Sequence, residues 1–179
     1  MTQHHSRSNR MTDPLPGGAI AEETGASRFQ IRIETGGTTI LADEPVAAGG
    51  LGSGPTPYEL LCSALAACTT MTLRLYATQK GWPVGAIRTQ VGHRRETGVT
   101  PPDLFTRRIA IDGDLDAEQR ARLIEIADRC PVHRTLTGGA RVETQASAAT
   151  PPCEPAVTHM ADMEALIAVG RGSFDFTEH

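Results

Sequence analysis

The stretch from Thr56 to Gly81 constrains the fold more than any other part of the sequence. Thr56 and Glu59, three residues apart, form a capping-box pattern, and Pro57 suits the first turn of a helix. Gly81 is typical of the residue that ends a helix. This pattern predicts one long helix over residues 57–80, with a length of roughly 36 Å.

No charged residue interrupts this helix from Leu60 to Leu73. A helix that is apolar on every side is normally buried on every side, and the uncharged run is shorter than the about 20 residues that a bilayer requires. We therefore expect the central helix of a small domain, with Cys68 in its middle. Cys62 lies about 240° around the helix from Cys68, so it is expected to face elsewhere in the core.

Composition narrows the range of partners. The chain has 179 residues, enough for one domain with extensions, and only 4% of them are aromatic, so the core must be aliphatic. The net charge of -4 and the scattered basic residues argue against binding to nucleic acid or to an anionic membrane. The first ten residues are polar and basic, with no apolar run after them, unlike a secretory signal. We expect a cytoplasmic protein.

The cysteines and histidines show no metal-binding pattern. The four cysteines are Cys62, Cys68, Cys130 and Cys153, and no two of them form a CxxC pair, which argues against a zinc ribbon or a thioredoxin-type motif. The histidines lack metal-ligand spacing, so we predict no metal site and no bound cofactor. Cytoplasmic cysteines stay reduced unless they take part in chemistry. Cys153 lies in a proline-rich stretch and is expected to be incidental.

Strands and a second helix are predicted on either side of the central helix in the sequence. The predicted strands cover residues 19–23, 29–35, 38–42, 87–95, 104–115 and 141–145. Gly36 and Gly37 predict a two-residue hairpin turn. A second helix is predicted from Ala117 to about Arg129. Because a residue before proline avoids helical geometry, Cys130 is expected at a helix end, where its thiol can reach outward.

Four segments stand in order along the chain: GGLGSGP, PYELL, ALAACTTMTLRLYA and ADRCPVHRTL. In this order and spacing they resemble the OsmC/Ohr family, and its OsmC-like branch most closely. The resemblance covers about residues 25–145. It implies an α+β fold with antiparallel sheets wrapped around long central helices in an intertwined homodimer. Residues 1–24 would then be a flexible or disordered extension, and residues 146–179 a linker with a short helix at 160–169, docked or loose.

The resemblance also implies a thiol peroxidase that reduces organic hydroperoxides. The family's reactive cysteine falls on Cys68, its resolving cysteine on Cys130 and its glutamate on Glu59. Its arginine falls on Arg28 or Arg32, which share one face of a strand, and the choice between them stays open. An arginine together with Glu59 would lower the pKa of Cys68 below the about 8.5 of a free thiol.

Each candidate also has an ordinary structural explanation. Cys68 can be a small buried hydrophobe, and Cys130 a helix-end cysteine with no role. Glu59 can serve only to close the capping box. Arg28 and Arg32 can belong to a solvated strand face.

The predicted reaction begins when Cys68 attacks a hydroperoxide, organic ones being reduced better than inorganic ones. Cys130 then resolves the sulfenic acid as a disulfide. A lipoyl-type dithiol or another thiol donor must reopen that disulfide. The alternative prediction is a non-catalytic, stress-responsive OsmC-like protein that binds a small hydrophobic ligand in the cleft of the dimer.

Helix geometry links this chemistry to the dimer. Glu59 and Cys68 are nine residues apart, which is half a turn out of phase and about 13.5 Å along the helix axis. One straight helix cannot easily bring both side chains to one pocket. Glu59 is therefore expected to serve the Cys68 of a partner chain, in an obligate homodimer with two composite sites.

Overall fold

The computed structural model describes residues 17–147, 153 and 158–169. The chain divides into two compact units, residues 1–54 with 141–158 and residues 55–140 with 159–179. Most of the predicted N-terminal extension and most of the predicted linker lie outside the described residues, but residues 19–23 of that extension form a strand, so its predicted bound at residue 24 is wrong.

The first unit is built on a three-stranded antiparallel sheet. Its strands, in spatial order, are β1 (Ala19–Glu23), β2 (Ile31–Thr35) and β3 (Thr38–Ala42). The predicted turn joins β2 to β3, and Gly36 and Gly37 have φ angles of 56° and 73°, as a two-residue hairpin turn requires. Ile31 and Ile33 are half-buried while Arg32 between them is exposed, the alternation expected of a strand with one face toward a core.

A buried carboxylate organises the loop that follows β3, which includes a single 3-10 turn at Val46–Ala48. Asp43 accepts hydrogen bonds of 2.8–3.2 Å from the backbone N–H groups of Glu44, Leu51 and Ser53 and from the Ser53 hydroxyl. The chain folds back so closely here that a side chain at Gly50 would overlap the carbonyl oxygen of Glu44. The glycine-rich sequence of the loop follows from this close approach.

The strand predicted at residues 141–145 is wrong. Residues 141–147 have no regular secondary structure, and Val142, central to the predicted strand, is 87% exposed. A strand needs a neighbour that satisfies its backbone N–H and C=O groups. Within the described ranges, no strand pairs with this segment.

The second unit contains the long helix and a β-hairpin. Helix α1 (Pro57–Lys80) precedes β4 (Val84–Arg95) and β5 (Asp103–Gly113), which pair in antiparallel fashion. Three helices follow: α2 (Ala117–Ala127), α3 (Pro131–Gly138) and α4 (Thr158–Val169), of which residues 159–169 belong to this unit. Antiparallel sheets together with a long helix confirm the predicted α+β class.

Helix α1 begins and ends where the sequence predicts. The Thr56 hydroxyl accepts a hydrogen bond from the backbone N–H of Glu59, and the Glu59 carboxylate accepts one from the backbone N–H of Thr56. Gly81 ends the helix with a φ of 66°. The capping box and the glycine stop are therefore confirmed.

Burial of α1 on all sides, however, is wrong for this chain. The elements β4, α2, α3 and α4 pack on one side of it. Met71 points away from them and is 53% exposed, and near the start of the helix Tyr58 and Leu61 are still 44% and 42% exposed, although Tyr58 stacks on His93 of β4. By length and composition alone α1 is also able to cross a bilayer, contrary to our expectation from its uncharged run. The side of α1 that packs against β4, α2 and α3 is nevertheless buried in the protein core.

The second predicted helix is in fact two helices. Helix α2 ends at Ala127, and Cys130 adopts the extended backbone that a residue before proline favours, with φ -56° and ψ 127°. Helix α3, which the sequence analysis missed, begins at Pro131, because proline is well suited to a first helical turn. Cys130 is at a helix end as predicted, but its thiol is fully buried rather than directed outward.

The core of the second unit consists of two clusters. The larger one joins α1, α2 and α4 and contains Leu73, Tyr76, Ala77, Leu115, Leu123, Ile126, Ala127 and Ile167. The smaller one contains Leu65, Cys68 and Cys130, with half-buried Val91, Phe105, Val132 and Leu136 packed around them. Helix α4 is docked, since Met163 and Ile167 are only 1% and 2% exposed.

Candidate thiol site

Two cysteines from different helices meet in the smaller core cluster. Cys68 lies on the buried face of α1, and Cys130 immediately precedes α3. Both are free thiols, 2% and 0% exposed, and their side chains are hydrogen-bonded to each other. Residues that are distant in sequence therefore form one pair of sulfur atoms in an apolar environment.

The local backbone explains why Cys130 suits a negative charge. The first N–H groups of a helix have no partner within the helix and carry the positive end of its dipole. At the start of α3, the N–H groups of His133 and Val132 donate hydrogen bonds to the sulfur of Cys130. The Thr69 hydroxyl is a further donor to this sulfur.

The hydrogen bond between the two sulfur atoms separates their pKa values. Donation from Cys68, supported by the α3 backbone and opposed by burial, lowers the pKa of Cys130 to about 6. The same hydrogen bond, together with burial, raises the pKa of Cys68. The proton of the pair therefore resides on Cys68. The expectation of a lowered pKa at Cys68 is wrong for this state, because Cys68 is the hydrogen-bond donor.

An arginine that the sequence analysis missed supports this charge distribution. Arg107 of β5 donates hydrogen bonds of 3.0 Å to the Thr69 hydroxyl and to the Ala127 carbonyl, and one of 2.7 Å to the Asp128 carboxylate. Its side chain is 14% exposed. Arg107 has the same strand parity as Ile109 and Ile111, which pack against the core, so the alternation of this strand could have identified a cation on its core face.

Glu59 lies in the first turn of α1, where the Thr56 backbone and hydroxyl bind its carboxylate at 2.7 and 3.0 Å. These hydrogen bonds lower the pKa of Glu59. Within this chain Glu59 therefore acts as the helix cap, nine residues before Cys68. Its role toward a thiolate stays a prediction.

The two candidate arginines belong to the first unit. Arg32 pairs with Glu22 at 2.5 Å and with Glu34 at 3.7 Å, on an exposed face of the sheet. The guanidinium of Arg28 lies 5.8 Å from the ring centre of Phe29. Neither interaction tests a role toward Cys68, so the choice between these arginines also stays a prediction.

The other cysteines lie outside the thiol pair. Cys62 is half-buried, and burial raises its pKa. Cys153 is also a half-buried free thiol. Across residues 17–147, 153 and 158–169, no group of three or more histidine, cysteine or acidic side chains is arranged to hold a metal ion.

A histidine from α4 completes the surroundings of Cys68. The Nε2 atom of His159 lies 3.3 Å from the Cys68 sulfur, and the imidazole is half-buried. Sequence reasoning missed this residue because it lies 91 positions after Cys68, in the predicted C-terminal extension. No local pattern links the two.

The sequence profile of the family described as OsmC-like protein matches residues 50–145, which contain α1, the hairpin, α2 and α3. The chain belongs to the OsmC-like protein family. The resemblance drawn from the four sequence segments is thereby confirmed. No curated protein matches the chain at a significant level.

Solved structures of OsmC-like proteins share this fold. An OsmC-like protein of Mycoplasma pneumoniae is 22% identical with a TM-score of 0.52, over 77% of this chain and 91% of that one. An organic hydroperoxide resistance protein of Elizabethkingia anophelis is 17% identical with a TM-score of 0.53, over 77% and 94%. A protein of Legionella pneumophila, described as the organic hydroperoxide resistance protein OsmC, is 14% identical with a TM-score of 0.50, over 78% and 95%. At these identities the likeness shows the fold alone.

The charge on the thiol pair can be measured through thiolate absorbance in the ultraviolet. We expect one thiolate to disappear as the pH falls through about 6. Because the pKa of Cys130 is lowered on folding, its ionisation stabilises the protein above the free-thiol pKa of about 8.5, and this stabilisation is lost as the pH falls through about 6. Cys68→Ala removes the donor and should raise the pKa of Cys130, whereas Cys62→Ser should leave it unchanged. Absence of any thiolate below pH 8 would contradict this charge distribution.

Proposed function

We propose that this OsmC-like protein is a thiol-dependent peroxidase that reduces organic hydroperoxides and, less well, inorganic ones. The observation that carries the proposal is the hydrogen-bonded pair of free thiols, Cys68 and Cys130, in one apolar cluster. A peroxidase that uses two cysteines needs one thiol to attack and a second within reach to resolve. Relatives with the same fold described as organic hydroperoxide resistance proteins support the proposal.

The proposed reaction has three steps. The Cys68 thiolate attacks the outer oxygen of the hydroperoxide, the O–O bond breaks, and the products are Cys68 sulfenic acid and an alcohol. The Cys130 thiolate then attacks the Cys68 sulfur and displaces hydroxide, which takes up a proton from solvent and leaves as water, so that a disulfide remains. A lipoyl-type dithiol or another thiol donor reduces this disulfide and restores both thiols.

The side chains around the sulfur atoms favour an organic substrate. The cluster consists of Leu65 with Val91, Phe105, Val132 and Leu136, all apolar. An alkyl or aryl group of a hydroperoxide would bury apolar surface against such side chains, whereas hydrogen peroxide has none to bury. This difference supports the proposal that organic hydroperoxides are reduced better than inorganic ones.

Cys68 can attack only after it loses its proton. In the resting pair the negative charge is on Cys130, which suits the resolving role because that step also requires a thiolate. Family resemblance supports Cys68 as the attacking residue. Arg107, through Thr69, stabilises the negative charge of the pair as a whole.

We further propose a homodimer in which Glu59, with Arg28 or Arg32, acts on the partner's thiol pair. The exposed apolar side chains of α1, Leu61 and Met71 among them, support a partner that packs against this helix. A cytoplasmic location, without nucleic acid or membrane as partners, is part of the same proposal.

The second candidate function is binding of a small hydrophobic ligand without turnover, in a stress-responsive role. It is favoured by the near-complete burial of Cys68 and by the raised pKa of that thiol. Both properties suit an inert core cysteine better than a nucleophile. A retained ligand and a silent Cys68 would favour this function.

Hydroperoxide consumption with several dithiols, a lipoyl-type one included, tests the proposed activity. Wild-type protein should turn over an organic hydroperoxide, and Cys68→Ser should fall to the uncatalysed rate because the nucleophile is gone. Cys130→Ser should complete one turnover and stop as the sulfenic acid, or proceed to the sulfinic acid. Cys62→Ser is the matched control and should keep the wild-type rate. A first turnover by Cys68→Ser but not by Cys130→Ser would reverse the two roles, and no turnover by wild type would leave the binding function.

Mixed dimers test the composite site. Glu59→Ala and Cys68→Ser proteins, each inactive alone, should regain activity when they are refolded together. Each heterodimer then contains one site with wild-type Cys68 from one chain and wild-type Glu59 from the other. Full activity of Glu59→Ala alone, or a stable active monomer by light scattering, would leave Glu59 as a helix cap only.

A further inference from the structure

Helix α4 presents His159 to the thiol pair from outside the segment that defines the family. The family profile ends at residue 145, whereas α4 spans Thr158–Val169. His159, Met163 and Ile167 are spaced four residues apart and so share one face of the helix. Met163 and Ile167 are buried in the second unit, and Arg129 donates a hydrogen bond of 3.4 Å to the Leu166 carbonyl. Docking of this face directs His159 toward α1.

The imidazole is in direct contact with the reacting atom of the proposed peroxidase. Its Nε2 atom lies 3.3 Å from the Cys68 sulfur, within hydrogen-bond range for a sulfur atom. Cys68 is the protonated member of the thiol pair, since it donates to Cys130. In the tautomer with its proton on Nδ1, the imidazole places a base at the thiol that must lose a proton before it can attack.

Few titratable groups compete with His159 at this position. In the described part of the chain, the titratable groups in contact with Cys68 are Cys130, ahead of α3, and His159 on α4. Arg107 of β5 reaches the pair through Thr69 and acts as a fixed positive charge. Cys130 is needed as a thiolate for the second step, so the Cys68 S–H turns from Cys130 to the imidazole, which then takes the proton.

We propose that His159 is the general base and acid of the peroxide step, an inference that rests on the proposed function. Neutral imidazole takes the proton from the Cys68 thiol, and the thiolate attacks the outer oxygen of the hydroperoxide. As the O–O bond breaks, the imidazolium returns that proton to the leaving alkoxide and forms the alcohol. The step ends with Cys68 sulfenic acid and neutral imidazole, and it requires no reactant besides the hydroperoxide.

The same inference assigns a role to α4. The helix is the part of the second unit that brings a proton acceptor to Cys68, and its docking through Met163 and Ile167 fixes the position of that acceptor. OsmC-like chains without a counterpart of α4 would need another route for the proton.

Two substitutions at His159 separate proton transfer from packing. His159→Ala removes the base, and His159→Gln keeps an N–H donor of similar reach but cannot take up a proton. Both should lower hydroperoxide consumption by about 100-fold at neutral pH, at the lower end of what acid–base catalysis contributes. Added free imidazole should restore activity to His159→Ala, with a pH dependence that follows the free imidazole. Glu164→Gln, on the exposed face of the same helix, is the matched control and should behave as wild type.

The rate at which iodoacetamide alkylates Cys68, located by peptide mass spectrometry, provides a readout that does not require turnover. It should fall in both His159 variants and recover with imidazole in His159→Ala. If alkylation changes but wild type consumes no hydroperoxide, the peroxidase proposal fails while the coupling of His159 to Cys68 stands. Wild-type alkylation and consumption in His159→Gln, or no rescue by imidazole, would overturn the role of His159 even if the peroxidase proposal stands.

Discussion

The hydrogen bond between the Cys68 and Cys130 thiols is the interaction on which the rest of the site depends. It exists because α1 buries the face that carries Cys68 and because α3 begins directly after Cys130. One proton held between two buried sulfur atoms leaves a negative charge in an apolar cluster, and such a charge is costly unless several donors compensate it. The residues around the two sulfur atoms provide these donors.

The donors come from three elements that are separate in sequence. The first turn of α3 supplies backbone N–H groups, α1 supplies the Thr69 hydroxyl, and β5 supplies Arg107 behind that hydroxyl. Arg107 also binds the Ala127 carbonyl and the Asp128 carboxylate, so it ties the end of α2 to the hairpin just ahead of Cys130. Its charge is balanced by the Asp128 carboxylate, at 2.7 Å.

The parts of this arrangement that depend on local patterns were predictable from the sequence. Capping residues and a glycine stop define α1, and two adjacent glycines define the hairpin of the first sheet. Partners distant in sequence were not predictable in this way. The thiol of Cys130 was predicted to reach outward, because a helix end marked by proline does not indicate which residues surround the side chain. No sequence pattern links His159 to α1. The predicted strand at 141–145 failed because alternation alone cannot supply a pairing strand.

Peptide mapping of the non-reduced protein after reaction with one equivalent of organic hydroperoxide tests the central claim most directly. The claim is that Cys68 and Cys130 form a single redox pair. It predicts one dominant disulfide, between Cys68 and Cys130 of the same chain, with Cys62 and Cys153 still present as thiols. A dominant disulfide that contains Cys62 or Cys153, or consumption of the hydroperoxide with Cys68 and Cys130 both left reduced, would contradict it.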